Sequence, residues 1–221
     1  MIKPAFLTFT GADDHTNLDD MIALDRDFPI EWGILVSESK MGTNRYPKKE
    51  FIRLAPLELK RASLHVCGGY ARQVFNGDYE EVLDLAEPYG RVQVNGIGPN
   101  ISDDNRIDNH NGAVFFGKEF DGRVILQTRS GFPNDTRFDW LFDKSGGRGL
   151  QPDAWPCPAN LVGRIFGYAG GINEDNILDV VAKADEYCIP FYWLDMESRI
   201  RNNEDKFDIG KCRRICEKVF K

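Results

Sequence analysis

Two adjacent glycines that end one strand and precede a helix mark the first place in this chain where an anion could be seated. An apolar run, Arg164 to Ala169, leads into Gly170 and Gly171, and the polar stretch Asn173 to Asn176 then opens an amphipathic segment. Paired glycines let the backbone approach an anion closely, and the free N–H groups and positive dipole end of the following helix favour negative charge there. A purely steric turn would use the same residues. Nearer the N-terminus, Asp13, Asp14 and His15 could supply a base or hold a divalent metal through oxygen and imidazole ligands, and the same acidic residues also suit the start of a helix. His65 and Cys67 stand two apart on a strand and share a face, either as a thiolate–imidazole pair or as ordinary lining. Cys212 and Cys216 lie one helical turn apart on a face with Ile209 and Val219, which reads as packing.

The elements that must position these groups alternate along the chain. Strand-like runs are expected at Ala5–Thr10, Glu31–Val36, Ser63–Cys67, Arg91–Asn95, Arg123–Thr128, Phe138–Asp143, Arg164–Ala169 and Phe191–Asp195. Helical patterns fall at Leu18–Asp27, Lys49–Leu59, Glu80–Ala86, Glu174–Glu186 and Ile209–Phe220, with a poorly patterned one at Gly112–Phe120 and a short turn expected for GYARQVF after the third strand. Strands alternating with helices imply parallel pairing through crossovers, and eight repeats close a barrel. The expected fold is therefore α/β, a single-domain eight-stranded parallel (β/α)8 barrel spanning residues 1–221. Side-chain parity sharpens this: Phe138, Trp140 and Phe142 share one face of the sixth strand and must meet the helices, while Asp139, Leu141 and Asp143 face inward. By the same alternation Thr8, Thr10, His65, Cys67, Gln93, Asn95, Gln127 and Arg129 point inward, and a polar set gathers at the carboxyl ends of the strands.

Composition removes several function classes. A net charge of -7 over 221 residues argues against nucleic acid as a partner, because phosphate neutralisation needs a basic face. No apolar run approaches the ~20 residues of a membrane span, and the N-terminus lacks the basic and apolar regions of a signal peptide. The five cysteines, Cys67, Cys157, Cys188, Cys212 and Cys216, are odd in number and include no zinc-type CxxC pair, so free thiols in a reducing cytoplasm are expected.

Six segments, in order, carry a resemblance: TGADDHTNLDDM after the first strand, NRYPKKEF after the second, VQVNG on the fourth, WLFDKSGGRG on the sixth, YAGGINEDNI on the seventh and LDMESRIR on the eighth. Together the chain resembles the phosphoribosylanthranilate isomerase family, single-domain TIM barrels that carry out an Amadori-type sugar-phosphate isomerisation in tryptophan biosynthesis. The resemblance implies that Gly170 and Gly171 hold the substrate phosphate with the loop of Asp195, Glu197 and Ser198, and that Gly146 and Gly147 line the mouth. It places Asp143 where the family has its general acid and Arg45 where an arginine meets the substrate's carboxylate. Thr10 stands where the family has its catalytic cysteine, Thr8 where it has a lysine, and Arg199 where it has a small residue. A threonine hydroxyl is a poor proton acceptor near neutral pH.

The leading expectation is an acid–base isomerase of a phosphorylated sugar derivative, working without cofactor or metal. Asp143 is its acid, and its base comes from the first-strand loop, at Thr10 or Asp13. One alternative is a non-catalytic barrel that binds a phosphorylated metabolite. Another is a metal-assisted lyase or hydrolase built on Asp13, Asp14 and His15.

Overall fold

The computed structural model describes residues 2–96, 110–159, 164–187 and 189–221. Eight parallel strands form a closed barrel in sequence order, β1 (Phe6–Thr10), β2 (Ile30–Ser37), β3 (Ala62–Cys67), β4 (Arg91–Val94), β5 (Arg123–Thr128), β6 (Asp139–Phe142), β7 (Phe166–Ala169) and β8 (Tyr192–Met196). Closure is made by β8 against β1, with Trp193 level with Phe6 and Asp195 level with Thr8. Around the barrel, among the described residues, lie α1 (Leu18–Asp27), α2 (Lys49–Glu58), α3 (Gly68–Asn76), α4 (Glu80–Ala86), α5 (Asn111–Glu119), α6 (Ile177–Glu186) and α7 (Ile209–Phe220).

Local chemistry accounts for the helix ends. Asn17 caps α1 by accepting from Asp20 N at 3.2 Å, and Asp208 caps α7 by accepting from Lys211 N at 3.0 Å. GYARQVF, expected as a short turn, instead forms most of α3: Tyr70, Ala71 and Val74 recur at helical spacing and are buried, and Gly77 ends the helix with φ 86°. The poorly patterned segment after β4 does form a helix, α5, because Gly112 lets it lie directly on the carbonyls of Val74 and Phe75 in α3. A methyl group at that position would collide with backbone, so the contact requires glycine.

Two cores follow from the alternation. The larger lies between strands and helices and takes Phe138, Trp140 and Phe142, as well as Cys212 and Cys216 of α7. The smaller fills the barrel interior with Phe6, Ile125, Leu141, Ala169 and Trp193. Gly167 makes room for the Trp193 indole and for Leu141. Below this plug the Arg91 guanidinium lies 4.6 Å from the Trp193 ring centre and pairs with Glu31 at 2.7 Å. No helix among the described residues is long and apolar enough to cross a membrane. Cys67, Cys157, Cys212 and Cys216 are free thiols; Cys188 lies outside the described residues.

Trp193 is fully buried in the inner plug. Trp193→Ala is expected to cost about 3–5 kcal/mol of stability in a denaturant melt. A loss below about 1 kcal/mol would mean that the interior is not held by this plug.

Candidate active site

The polar ends of the inward rows surround one cavity of about 620 Å³ at the carboxyl ends of the strands. At its floor β1 and β8 bring Thr10 and Asp195 together, and the Thr10 hydroxyl donates to Asp195 Oδ1 at 2.7 Å. Space for this pair comes from Gly33 on β2, where an added Cβ would run into Thr10 Oγ1 and the His65 ring. Asp195 is 8% exposed, and burial pushes its carboxyl up to about 7. The Thr10 hydrogen bond opposes that rise, while the charges of Glu197, Asp143 and Glu31 add to it. Asp195 thus lies on β8 beside Thr10, level with Ala169 of β7 and two residues before Glu197.

Asp143 follows β6 and is tied into its own turn. Its Oδ1 accepts from Ser145 N at 3.0 Å and Ser145 Oγ at 2.8 Å, and its Oδ2 accepts from Gly147 N at 2.6 Å. Gly146 and Gly147 take φ 60° and 84°, which makes the turn tight enough for those bonds. The Arg129 guanidinium packs where Gly146 lacks a side chain, and it has no carboxylate partner among the described residues.

Arg45 lines the opposite wall with φ 73°, an uncommon conformation for a residue with a side chain. Its Nη1 donates to Glu197 Oε1 at 2.8 Å and to Ser198 Oγ at 3.3 Å, and its Nη2 donates to Asp205 Oδ1 at 2.6 Å. Its backbone N–H donates to Asp13 Oδ2 at 3.0 Å, which fixes the unusual backbone. Asp13 also accepts from His15 N at 3.1 Å and is not among the residues that line the cavity. Asp14 is exposed and accepts from Lys48 N at 3.1 Å. The two carboxylates therefore secure loop backbone, and no metal-ligating group of three His, Cys, Asp or Glu occurs among the described residues.

Arg201, which sequence reasoning missed as a site residue, is buried behind this wall. It donates to Gly11 O and Asn44 Oδ1, each at 2.8 Å, and to Asp205 Oδ1 at 2.9 Å. On the far wall, burial lowers the His65 imidazole to about 3 and pushes the Cys67 thiol up to about 11. His65 meets Ser63 Oγ at 3.0 Å and Gln93 Nε2 at 3.2 Å, while Cys67 Sγ accepts from Asn95 Nδ2 at 3.1 Å. The neutral ring and protonated thiol are lining residues and make no ion pair.

Gly170 and Gly171 reach the rim with φ 115° and 67°. The Gly171 carbonyl accepts from Asn173 Nδ2 and Asn176 Nδ2, both at 3.1 Å, and Asn176 stands at the start of α6. A Cβ on Gly171 would lie 2.6 Å from Gln151 N, so the loop after β6 runs directly against the pair. Arg199 Nε reaches Gly149 O of the same loop at 3.4 Å.

The elevated Asp195 value sets a sign for stability. A carboxyl raised from 3.8 in the unfolded chain to about 7 contributes stability below about pH 4 that is lost as pH rises through 7. Asp195→Asn should therefore gain on the natural protein between pH 4 and 8, by up to about 4 kcal/mol in denaturant melts. A difference independent of pH would refute the elevated value.

No family model matches the chain, and no curated protein does. Solved structures do. The phosphoribosyl anthranilate isomerase of Thermus thermophilus is 20% identical with a TM-score of 0.65, over 96% of this chain and 97% of that one. TrpF from Jonesia denitrificans is 18% identical with a TM-score of 0.64, over 97% and 96%. The phosphoribosyl anthranilate isomerase of Thermotoga maritima is 16% identical with a TM-score of 0.62, over 97% and 98%. Coverage is nearly complete on both sides, so this chain has the (β/α)8 barrel fold of the phosphoribosylanthranilate isomerase structures.

Proposed function

We propose that the cavity binds a phosphorylated sugar derivative and isomerises it by acid–base chemistry of the Amadori type. The observation that carries this reading is the separation of charge within one cavity. Asp195 at the floor and Asp143 in the turn after β6 are buried, whereas Lys40, Arg129 and Arg199 are exposed side chains that line the same cavity. A ligand with an anion at one end and hydroxyl-bearing carbons at the other fits that polarity. The anion would sit by Gly170, Gly171, Ser198 and Arg199, with the exposed Arg199 cation to meet its charge. The sugar carbons would then lie over the carboxylates. The likeness of fold to phosphoribosyl anthranilate isomerase structures supports a phosphoribosyl arylamine as the substrate class. The scheme requires ring opening and proton transfers, and no organic cofactor enters it.

Arg45 takes a different part from the one the resemblance implies. Its guanidinium is occupied by Glu197, Ser198 and Asp205, so its role here is to brace the wall that carries Glu197 and Ser198.

Ribose 5-phosphate at about 100 times its dissociation constant should stabilise the protein by about 2.7 kcal/mol and raise Tm by about 5 °C or more. Ribose should do neither. Arg199→Ala should cut the shift by more than half without altering the unliganded Tm by more than about 2 °C, because Arg199 is exposed. Gly171→Leu is unsuitable for this purpose, since the new side chain would strike the Gln151 backbone. An equal shift with ribose, or an undiminished one in Arg199→Ala, would place the anion elsewhere.

A further inference from the structure

The carboxylates of the cavity differ in what already occupies them. Glu197 and Asp205 are held by Arg45, and both oxygens of Asp143 accept from Ser145 and Gly147. Glu197 Oε2 and Asp195 Oδ2 have no hydrogen-bond partner among the described residues, but Glu197 Oε1 is held by the Arg45 guanidinium, whereas Asp195 Oδ1 accepts from the Thr10 hydroxyl and meets no cation. Asp195 is nine-tenths buried and lines the cavity. We propose that Asp195 is the catalytic residue that moves the proton at the sugar's second carbon, with Thr10 as its positioning residue and Asp143 as the anchor of the β6 turn. This rests on the cavity being a sugar-phosphate site, as proposed above.

The geometry relocates the base rather than deleting it. Thr10 stands at the end of β1, and its hydroxyl is committed to the carboxylate on β8. The groups whose charges act on Asp195 are Glu197, Asp143 and Glu31, all acidic. With burial they bring its carboxyl to about 7, so protonated and ionised forms coexist near neutral pH.

Ring opening takes a proton from water onto the ring oxygen and breaks its bond to carbon 1, while the nitrogen lone pair forms the C1=N bond of a protonated imine. Asp195 Oδ2 then takes the proton from carbon 2. The C–H electron pair becomes the C1=C2 double bond, and the C1=N pair returns to nitrogen, giving a neutral enaminol and a protonated Asp195. The carboxylic acid next delivers its proton to carbon 1 while the carbon 2 hydroxyl releases its own to water. The product is a ketone, and the carboxylate is regenerated.

The test uses N-(5-phosphoribosyl)anthranilate in D2O, with isomerisation and deuterium incorporation followed by NMR, and ribose 5-phosphate binding measured in parallel. Asp195→Asn should lose about 100-fold or more in kcat and still bind ribose 5-phosphate. In the natural protein the acid limb of kcat should fall near pH 7. Thr10→Val should move that limb upward, because it removes the bond that favours the charged carboxylate, a displacement that a merely structural loss would not cause. Asp195→Asn within about ten-fold of the natural rate, or an unmoved limb in Thr10→Val, would overturn the assignment. Binding of ribose 5-phosphate with no turnover would overturn this assignment alone, whereas failure to bind it would overturn the sugar-phosphate reading as well.

Discussion

Closure of the sheet between β8 and β1 is the constraint on which everything else rests. Once Trp193 is set beside Phe6, strict alternation carries Asp195 inward one step further along, to the level at which Thr10 can reach it. The plug of Phe6, Ile125, Leu141, Ala169 and Trp193 fills the barrel below, and its Leu141 and Ala169 reach the cavity beside the polar layer. Rigid packing beneath a polar floor is how a barrel holds reactive groups without a deep solvent shaft.

Charge is distributed by the same geometry. Arg91 and Glu31, and Arg123 and Asp139, pair at the amino ends of the strands, where they face one another at 2.7 Å. At the carboxyl ends Arg45 and Arg201 are committed to carboxylates and carbonyls of the loops. Asp195 is left with a hydroxyl as its one partner among the described residues. Burial raises both this carboxyl and that of Glu197, and at Glu197 the Arg45 guanidinium opposes the rise. Several acidic residues in one cavity therefore do unequal work: Glu197 and Asp205 are held by a cation, Asp143 by its own turn, and Asp195 by a hydroxyl.

Alternation and periodicity were readable in the sequence because each depends on near neighbours. The aromatic face of Phe138, Trp140 and Phe142, the inward polar rows, and the bounds of α1, α4 and α7 all follow from local pattern. Segment GYARQVF misled because its helix is short, so tertiary burial of Tyr70 and Val74 decided its state. The site was readable as a set of residues and unreadable as a set of partners. Nothing local says that Asp13 holds the Arg45 backbone 32 residues away, that Arg201 reaches Gly11 190 residues away, or that Gly33 makes room for Thr10. Those contacts are products of closure, and they set the partners of Asp13, Asp195 and Arg45.

The Thr10–Asp195 bond joins residues 185 positions apart, and Arg45 meets Glu197 across 152. Such separations set the order in which the protein can be assembled. During synthesis the first strands emerge long before their partner on β8, so the floor cannot exist until nearly the whole chain has left the ribosome. Until then the open edge of β1, with Phe6 and Phe9 on it, is uncovered and available to other strand edges. Formation of the site and protection from aggregation thus become one late event in the folding history of this barrel.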